Sequence, residues 1–188
     1  MATWATRFLN QKGIHFKLIE YVHEKKGAMF AAERMGFPIE RTIKTLIVDL
    51  GRKRYIIVLM PGDKNVDLES LARACSVPRA AMADMSTAER LTGYLVGGIS
   101  PFGTKQNLPV VMEAGLLKFD KVAINAGKRG VMLIMAPKDV LLAVNGDVLG
   151  LAQNQATTPI KSPSDFIRKK TMTDQKGLRL TETVSGSG

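Results

Sequence analysis

Cysteine is nearly absent from this chain of 188 residues, which contains one, Cys75. A single thiol excludes an internal disulfide framework and a metal site built from cysteines alone, and it fits a reducing cytoplasm. The run from Leu71 to Cys75 has the composition of a helix. We therefore expect a buried structural thiol at this position rather than a nucleophile.

Histidine is scarce and long apolar runs are missing. His15 and His23 belong to no HExxH motif and to no Cys/His cluster, so we expect no zinc site. Each histidine is better explained as a strand-surface residue or as a core polar group with satisfied hydrogen bonds. The apolar runs are too short to cross a bilayer, and no signal peptide is recognisable. We therefore predict a cytoplasmic protein without a membrane span.

Negative charge is also in short supply, because 17 Asp and Glu residues stand against 27 Lys and Arg residues, for a formal net charge of +10. Such an excess favours a polyanionic partner, with nucleic acid ahead of an acidic membrane surface, although composition does not choose between them. The chain is 45% hydrophobic, which is enough for one domain with a substantial core.

The hydrophobic period switches repeatedly along the chain, which predicts a mixed α/β fold. We expect one compact domain over residues 1–152, with a mixed, partly barrel-like β-sheet surrounded by short helices. Helices are predicted at residues 4–9, 30–35, 67–75, 86–89 (from a capping box) and 137–146. Strands are predicted at residues 16–22, 42–49, 55–60, 94–96, 110–113, 122–125 and 131–135, and the second and third of them form a hairpin.

The C-terminal segment, residues 153–188, differs in composition from the rest. It is rich in Thr, Ser, Lys and Gly, with one predicted helix that begins at Ser162 and Pro163. We predict a basic and partly flexible tail.

A glycine-rich stretch from Val96 to Lys105 is the candidate binding loop. Glycine permits the close backbone approach that an anion or oxyanion cradle needs, and Pro101 fixes the exit of the turn. An ordinary connection between strands is the alternative, and the pattern alone does not choose. Two catalytic motifs are excluded. Thr104-Lys105 inverts the order required by a phosphate-binding GxxxxGK[ST] loop, and Ser100 lacks the second glycine of a nucleophile elbow.

Lys44 is the strongest single candidate outside this loop. It shares one face of its predicted strand with Leu46 and Val48, so its amine lies beside apolar surface. Such a lysine either extends to water or supplies a cation at a pocket mouth, where it binds phosphate or neutralises developing negative charge.

Four motifs, taken together and in this order, resemble the YbaK/prolyl-tRNA synthetase editing-domain superfamily, the freestanding aminoacyl-tRNA deacylases. Each motif is weak alone, but the combination is specific and covers roughly residues 1–152. The motifs are Tyr21-x-His23, Lys44-Thr45-Leu46, Thr92 to Pro101 with the following Gly103, and Gly127-Lys128-Arg129-Gly130.

The resemblance implies hydrolysis, or thiol-assisted release, of an amino acid wrongly attached to tRNA, most often Cys on the proline tRNA, without a cofactor or metal. Lys44 matches the essential lysine of the family and would hold the terminal adenosine or orient the ester. The GxxxP element would offer backbone amides to the aminoacyl carbonyl or its oxyanion; it consists of Gly97, Gly98, Ile99, Ser100 and Pro101. The opposite wall of the pocket would be formed by Gly127, Lys128, Arg129 and Gly130. Two aromatic residues would flank the site, Tyr21 and Phe30, and for each of them core packing is the alternative role.

The absence of a catalytic triad agrees with this chemistry, because an activated ester needs mainly positioning and oxyanion stabilisation. In cysteine-specific members of the family the thiol of the substrate attacks its own ester. This chain departs from the YbaK pattern at Val131-Met132, where an acidic residue is common, and Met132 makes the expected pocket more apolar. The edited residue is therefore Cys, or alternatively Ala or another small residue.

The implied partners are mischarged tRNA, through the 3′ end of tRNA(Pro), and prolyl-tRNA synthetase. Two rival functions keep the same fold and basic surface. One is a non-catalytic module that binds tRNA or another nucleic acid, and the other is a sensor of an amino acid or nucleotide.

Overall fold

The computed structural model describes residues 2–25 and 27–153, so the predicted tail helix lies outside the described residues. Five α-helices are present in this part of the chain: α1 Trp4–Gln11, α2 Ala28–Met35, α3 Leu68–Ala74, α4 Met85–Thr92 and α5 Pro137–Val144. The strands are β1 Lys17–Glu20, β2 Ile43–Asp49, β3 Tyr55–Pro61, β4 Ala81–Met82, β5 Val110–Glu113, β6 Val122–Asn125, β7 Val131–Met135 and β8 Asp147–Leu149. Short 3-10 helices occupy Ile39–Arg41 and Ala114–Lys118.

The strands form two sheets, which confirms the mixed α/β prediction. One is antiparallel, in the order β1-β7-β6, and the other has five strands in the order β4-β2-β3-β5-β8. In the larger sheet β5 pairs parallel with both β3 and β8, while β2 pairs antiparallel with β3 and β4. A single bridge between Thr42 and Ala123 connects the sheets. The sheets do not close into a barrel over the described residues, so the barrel-like part of the prediction is not found.

The core follows from the alternation of side chains along β3. Ile57 and Leu59 face the larger apolar cluster, which also includes residues of α1, α4 and α5. The opposite face of β3, with Val58 and Met60, packs into a second cluster that includes Leu71 of α3. A strand covered on both sides reads as a continuous apolar run, as β3 does.

Two predicted elements near the glycine-rich loop differ from the structure. Residues 94–96 are not a strand, because Gly93 ends α4 in a left-handed conformation with φ 76° and the chain then turns. The predicted capping box is wrong by two residues. The cap of α4 is Asp84, whose carboxylate accepts from the N–H of Thr87 at 2.8 Å, and Ser86 lies inside the helix.

Cys75 is 4% exposed, and burial raises the pKa of its thiol, as expected for a structural residue. His15 is exposed, but the Nδ1 of His23 is buried without a hydrogen-bond partner among the described residues, so that histidine is not the satisfied polar group we expected. Within residues 2–25 and 27–153, no helix combines the length and the hydropathy needed to cross a bilayer.

Glu113, at the end of β5, places a buried carboxylate at the C-terminal edge of the larger sheet. It is 1% exposed and accepts hydrogen bonds from the N–H groups of Gly115 at 3.2 Å and Ala152 at 2.9 Å, and from that of Leu151. These contacts join the segment after β8 to the central strands.

Candidate active site

A cavity of about 320 Å³ lies where the two sheets meet. Its walls come from the start of β2, from α2, from the ends of β6 and β7, and from the segment of residues 93–103, which we call the site loop. The lining residues are Tyr21, Gly27, Ala28, Ala31, Ile43, Lys44, Thr45, Val96, Gly97, Ile99, Asn125 and Met132. Five of these, Tyr21, Lys44, Gly97, Ile99 and Met132, were predicted from the sequence.

Lys44 is the only cationic residue among those that line the cavity. It is the second residue of β2, and its Nζ lies 3.5 Å from the carbonyl oxygen of Gly62 in the segment after β3. Burial lowers the pKa of the ammonium, and the nearby carboxylate of Asp63 partly opposes this shift. The side chain thus presents a partly desolvated positive charge to the cavity, where its attraction for an anion is stronger than in water.

The site loop is anchored in the core by Tyr94. Its ring is 5% exposed and packs against Trp4 with the ring centroids 5.9 Å apart. The hydroxyl donates a hydrogen bond to the carbonyl oxygen of Phe102 at 2.5 Å, across the loop. Burial raises the pKa of Tyr94 to about 12. One side chain therefore connects the two ends of the loop.

Two side chains from the β6–β7 connection hold the carbonyl groups of the site loop. The guanidinium of Arg129 donates to the carbonyl oxygen of Val96 from Nε at 2.9 Å and from Nη2 at 2.6 Å. Asn125 donates from Nδ2 to the carbonyl oxygen of Gly97 at 3.2 Å. The N–H groups of Gly97 and Ile99 have no acceptor within the described residues. The loop is thus fixed through its carbonyls and retains unpaired donors at the cavity.

Glycine is required where the site loop meets the β6–β7 connection. A Cβ on Gly98 would lie 3.0 Å from the backbone nitrogen of Arg129. Gly127 has φ +85°, and a Cβ there would lie 2.5 Å from the ring of Tyr94. Close packing of these two segments therefore excludes a side chain at Gly127, and a Cβ on Gly98 would force the backbone of the β6–β7 connection to shift by a few tenths of an ångström.

Several predicted site residues lie near the cavity without lining it. Ser100 is completely buried, its Oγ accepts from the N–H of Phe102 at 3.4 Å, and Pro101 is also buried. The predicted wall residues are Gly127, Lys128, Arg129 and Gly130, and they form the β6–β7 connection. Arg129 supports the site loop, and the carbonyl oxygen of Gly130 accepts from the N–H of Tyr21, just after β1, at 2.9 Å. Phe30 contacts Tyr21, with the ring centroids 6.3 Å apart.

Sequence reasoning missed several lining residues. Ala28 and Ala31 lie three residues apart on α2, a spacing that gives a small-residue face but no chemical signal. Thr45 is more informative, because its Oγ1 is buried and has no hydrogen-bond partner among the described residues. A buried hydroxyl without a partner costs free energy unless a ligand pairs with it.

The lining set defines the chemistry that the cavity can perform. It contains no Asp, Glu, His or Cys, so no lining side chain is a conventional general base, and none is a thiol nucleophile. It does contain the cation of Lys44, the unpaired backbone N–H groups of Gly97 and Ile99, and the unpaired hydroxyl of Thr45. Groups of this kind are suited to binding an oxygen that carries, or develops, negative charge.

Comparison with known proteins gives a consistent result. The family model for the aminoacyl-tRNA editing domain matches residues 24–142. The chain is 30% identical over 146 residues to the "Putative Cys-tRNA(Pro)/Cys-tRNA(Cys) deacylase EbsC" of Enterococcus faecalis, covering 77% of this chain and 89% of that protein. It is 29% identical over 138 residues to the "Multifunctional Ser/Thr-tRNA deacylase ProXp-y" of Escherichia coli K12, covering 71% and 81% respectively.

A solved structure described as "a putative trans-editing enzyme for prolyl tRNA synthetase" has the same fold. The TM-score is 0.74 at 25% sequence identity, and the match covers 82% of this chain and 99% of that one.

Proposed function

Because this chain belongs to the aminoacyl-tRNA editing domain family, we propose that it is a trans-editing deacylase that removes a mischarged small amino acid, foremost Cys, from tRNA(Pro). One observation carries the proposal: Lys44 and the unpaired N–H groups of Gly97 and Ile99 border the same 320 Å³ cavity. The reaction needs this combination, since the ester is already activated and positioning supplies much of the remaining rate.

In the proposed complex the 3′-terminal adenosine enters at Lys44. The ammonium holds a phosphate or ribose oxygen of that nucleotide, and the N–H groups of Gly97 and Ile99 donate to the aminoacyl carbonyl oxygen as it becomes an oxyanion. Removal of one such donor typically lowers kcat by about 100-fold or more. Arg129 and Asn125 act on the reaction indirectly, because they fix the neighbouring carbonyl groups.

The bond changes differ between the two routes. With Cys, the substrate Sγ attacks its own carbonyl carbon, an S–C bond forms, the C–O bond to the ribose breaks, and the thiol proton passes to the ribose oxygen. With a substrate that lacks a thiol, a water oxygen attacks the carbonyl carbon, the C–O bond to the ribose breaks, one water proton passes to the ribose oxygen, and the free amino acid is released. Neither route needs a protein nucleophile, in agreement with the lining residues.

The buried hydroxyl of Thr45 supports a substrate with a polar side chain. Thr45 lines the cavity, and its Oγ1 is buried without a partner in the described part of the chain, so we propose that a rotation about χ1 turns the hydroxyl toward the substrate. A thiol or hydroxyl on the substrate pairs with this group, whereas the methyl group of Ala leaves it unpaired. Ser is therefore the second candidate, ahead of Ala. The name of the Escherichia coli relative, a Ser/Thr-tRNA deacylase, is consistent with this order.

The test is release of amino acid from tRNA(Pro) charged separately with Cys, Ser, Ala and Pro. We expect rapid release of Cys, and a loss of about 100-fold or more in kcat/KM for Lys44→Met, which keeps length but removes charge. Lys64→Met, at a half-exposed lysine outside the cavity lining, is the matched control and should retain activity. Equal rates for wild type and Lys44→Met would refute the role of the ammonium. No release of any amino acid would favour the non-catalytic binding module.

Thr45→Val tests the side-chain preference, because valine has nearly the same shape and no hydroxyl. Release of Cys and Ser should fall by about 10-fold, which corresponds to one lost hydrogen bond, while release of Ala should not fall. A uniform loss on all three substrates would show that Thr45 acts on pocket shape alone.

Two further proposals concern the setting of the reaction. We propose a cytoplasmic location and association with prolyl-tRNA synthetase, supported by the described role of the structural neighbour. Co-purification with the synthetase of the same cell tests the association, and recovery of the protein free of any synthetase would contradict it.

A further inference from the structure

The turn between β2 and β3 keeps two long cations in a backbone conformation that disfavours them. Arg54 donates its N–H to the carbonyl oxygen of Gly51 at 3.0 Å, which closes a turn around Arg52 and Lys53. Both central residues are left-handed, with φ 54° and φ 58°, as in the hairpin turns for which Asn-Gly is the preferred sequence. Side chains with a Cβ carry a steric cost in this region. Local backbone strain that is retained points to a function for the side chains that cause it.

The charges of this turn have no acidic partners within the described residues. Arg52, Lys53 and Arg54 are exposed, and none of them forms an ion pair in this part of the chain. The closest acidic residue in sequence, Asp49, accepts the N–H of Gly51 through Oδ1 at 2.7 Å. The turn therefore presents its positive charge to solvent.

Arg79 adds a fourth cation to the same edge of the sheet. It is exposed and precedes β4, in which Ala81 pairs with Asp49. Because β4 runs antiparallel to β2, the chain enters β4 from Arg79 at the end of β2 from which the turn leaves. We refer to Arg52, Lys53, Arg54 and Arg79 as the turn cations.

The turn cations lie at the end of β2 that is remote from the cavity. Lys44 is the second residue of β2 and the turn follows its last residue, Asp49. Five residues of extended chain span about 17 Å, so no group that occupies the cavity reaches the turn as well. A ligand that contacts both the cavity and the turn cations therefore uses a different part of its structure for each.

We propose that the turn cations bind the sugar-phosphate backbone of the tRNA substrate, away from its aminoacylated nucleotide. This proposal rests on the proposed function for the identity of the RNA. Lysine and arginine side chains on a protruding turn contact phosphates without reading sequence, and such contacts set affinity and its dependence on salt. The turn thus supplies binding free energy that the small cavity does not, and it orients the acceptor so that the 3′ end reaches Lys44.

The test uses the double variant Arg52→Asn/Lys53→Gly in the full-length protein. Asn-Gly is the preferred sequence for this turn, so the variant should fold at least as well as wild type, with Tm raised by about 2 to 4 °C. Its affinity for uncharged tRNA(Pro) should fall, and the slope of log K against log salt should decrease in magnitude by about 2, one for each phosphate contact removed. A gain in stability combined with a loss of RNA affinity is a pattern that a purely structural role would not produce.

The control variant Lys121→Gln/Lys138→Gln removes the same net charge from exposed positions on other elements. It should keep the salt slope of wild type. Deacylation provides the second readout. With charged tRNA the turn variant should lose kcat/KM, whereas with a charged CCA trinucleotide it should match wild type.

An unchanged salt slope in the turn variant, or an equal decrease in the control variant, would overturn the proposal, and so would absence of tRNA binding by wild type. Loss of affinity for phosphatidylserine vesicles with tRNA affinity unchanged would also overturn it, in favour of a membrane surface. These results are separable from failure of the proposed function. If tRNA binding depends on the turn but no amino acid is released, the proposed deacylase activity is contradicted and the phosphate contacts are supported. If deacylation depends on Lys44 but the salt slope of the turn variant is unchanged, the deacylase activity is supported and the phosphate contacts are contradicted.

Discussion

Replacing Tyr94 with phenylalanine removes one oxygen atom from the anchor of the site loop. The ring remains, but the carbonyl oxygen of the fully buried Phe102 loses the hydroxyl that donates to it at 2.5 Å. A net hydrogen bond contributes about 1 kcal/mol, and leaving a buried acceptor unpaired costs about 1 to 3 kcal/mol. We therefore expect Tyr94→Phe to lower the free energy of unfolding by about 1 to 3 kcal/mol at neutral pH.

The same substitution should change how stability depends on alkaline pH. The pKa of Tyr94 is raised by burial from 10.0 to about 12 in the folded protein. Between these values the unfolded chain has lost the phenolic proton and the folded chain retains it, so the free energy of unfolding falls as pH rises. The contribution of Tyr94 is fully present below pH 10 and is lost by about pH 12. The loss amounts to about 2 to 3 kcal/mol, at 1.36 kcal/mol for each pH unit.

Urea unfolding followed by the fluorescence of Trp4, which contacts Tyr94, measures both effects. Wild type and Tyr94→Phe should differ most at pH 8 and should converge by about pH 12. Tyr55→Phe is the matched control, since the Tyr55 hydroxyl has no hydrogen bond within the described residues, and it should leave both quantities near wild type. Equal stability of wild type and Tyr94→Phe at pH 8, or parallel pH profiles, would refute the assignment of the hydroxyl as the loop anchor.

Two other predictions concern packing and the buried carboxylate, and urea unfolding measures both. Gly127→Ala should destabilise the protein by about 2 kcal/mol more than Gly36→Ala, because both glycines are left-handed but only at Gly127 would a Cβ collide with the ring of Tyr94; equal costs would argue against that contact. Glu113→Ala should cost about 3 kcal/mol, since it leaves three backbone N–H groups without their acceptor, whereas removal of the exposed carboxylate by Glu69→Ala should cost less than about 0.5 kcal/mol. Similar values for the two glutamates would contradict the role of Glu113.

The strands of the hairpin and the helices around them were predictable because their signals are local. The β2 and β3 segments are dense in β-branched and aliphatic residues on either side of a polar turn, and Asp67 caps α3 as its position predicts. The prediction of a strand at residues 94–96 is wrong, and the reason is not local in sequence. The apolar residues of this segment have three different surroundings: Tyr94 is buried by the core and the β6–β7 connection, Leu95 is 61% exposed, and Val96 lines the cavity. Apolar composition alone does not distinguish a strand from a buried loop anchor.

The site was partly predictable through residues whose type is unusual for their position. Lys44 in an apolar strand and the glycines of the site loop gave such signals, and the structure places Lys44, Gly97 and Ile99 at one cavity. Asn125 and Thr45 gave none, because a polar residue at a strand end and a threonine within a strand are both common. Their relation to the cavity arises only when the two sheets pack together, which depends on contacts between residues distant in sequence.

The order of strands in the larger sheet has a consequence for the kinetics of folding. The chain leaves β3 at Pro61 and returns beside it as a parallel strand at Val110, and the site loop lies within that connection. Parallel pairing of strands about 50 residues apart carries the entropic cost of closing the connection before any contact between the strands offsets that cost. Topologies of this kind fold slowly. The hairpin of β2 and β3, with Lys44, can form early from local contacts. The backbone donors that complete the cavity are held in place only after β5 docks, so the rate of refolding to activity should be set by this long-range closure.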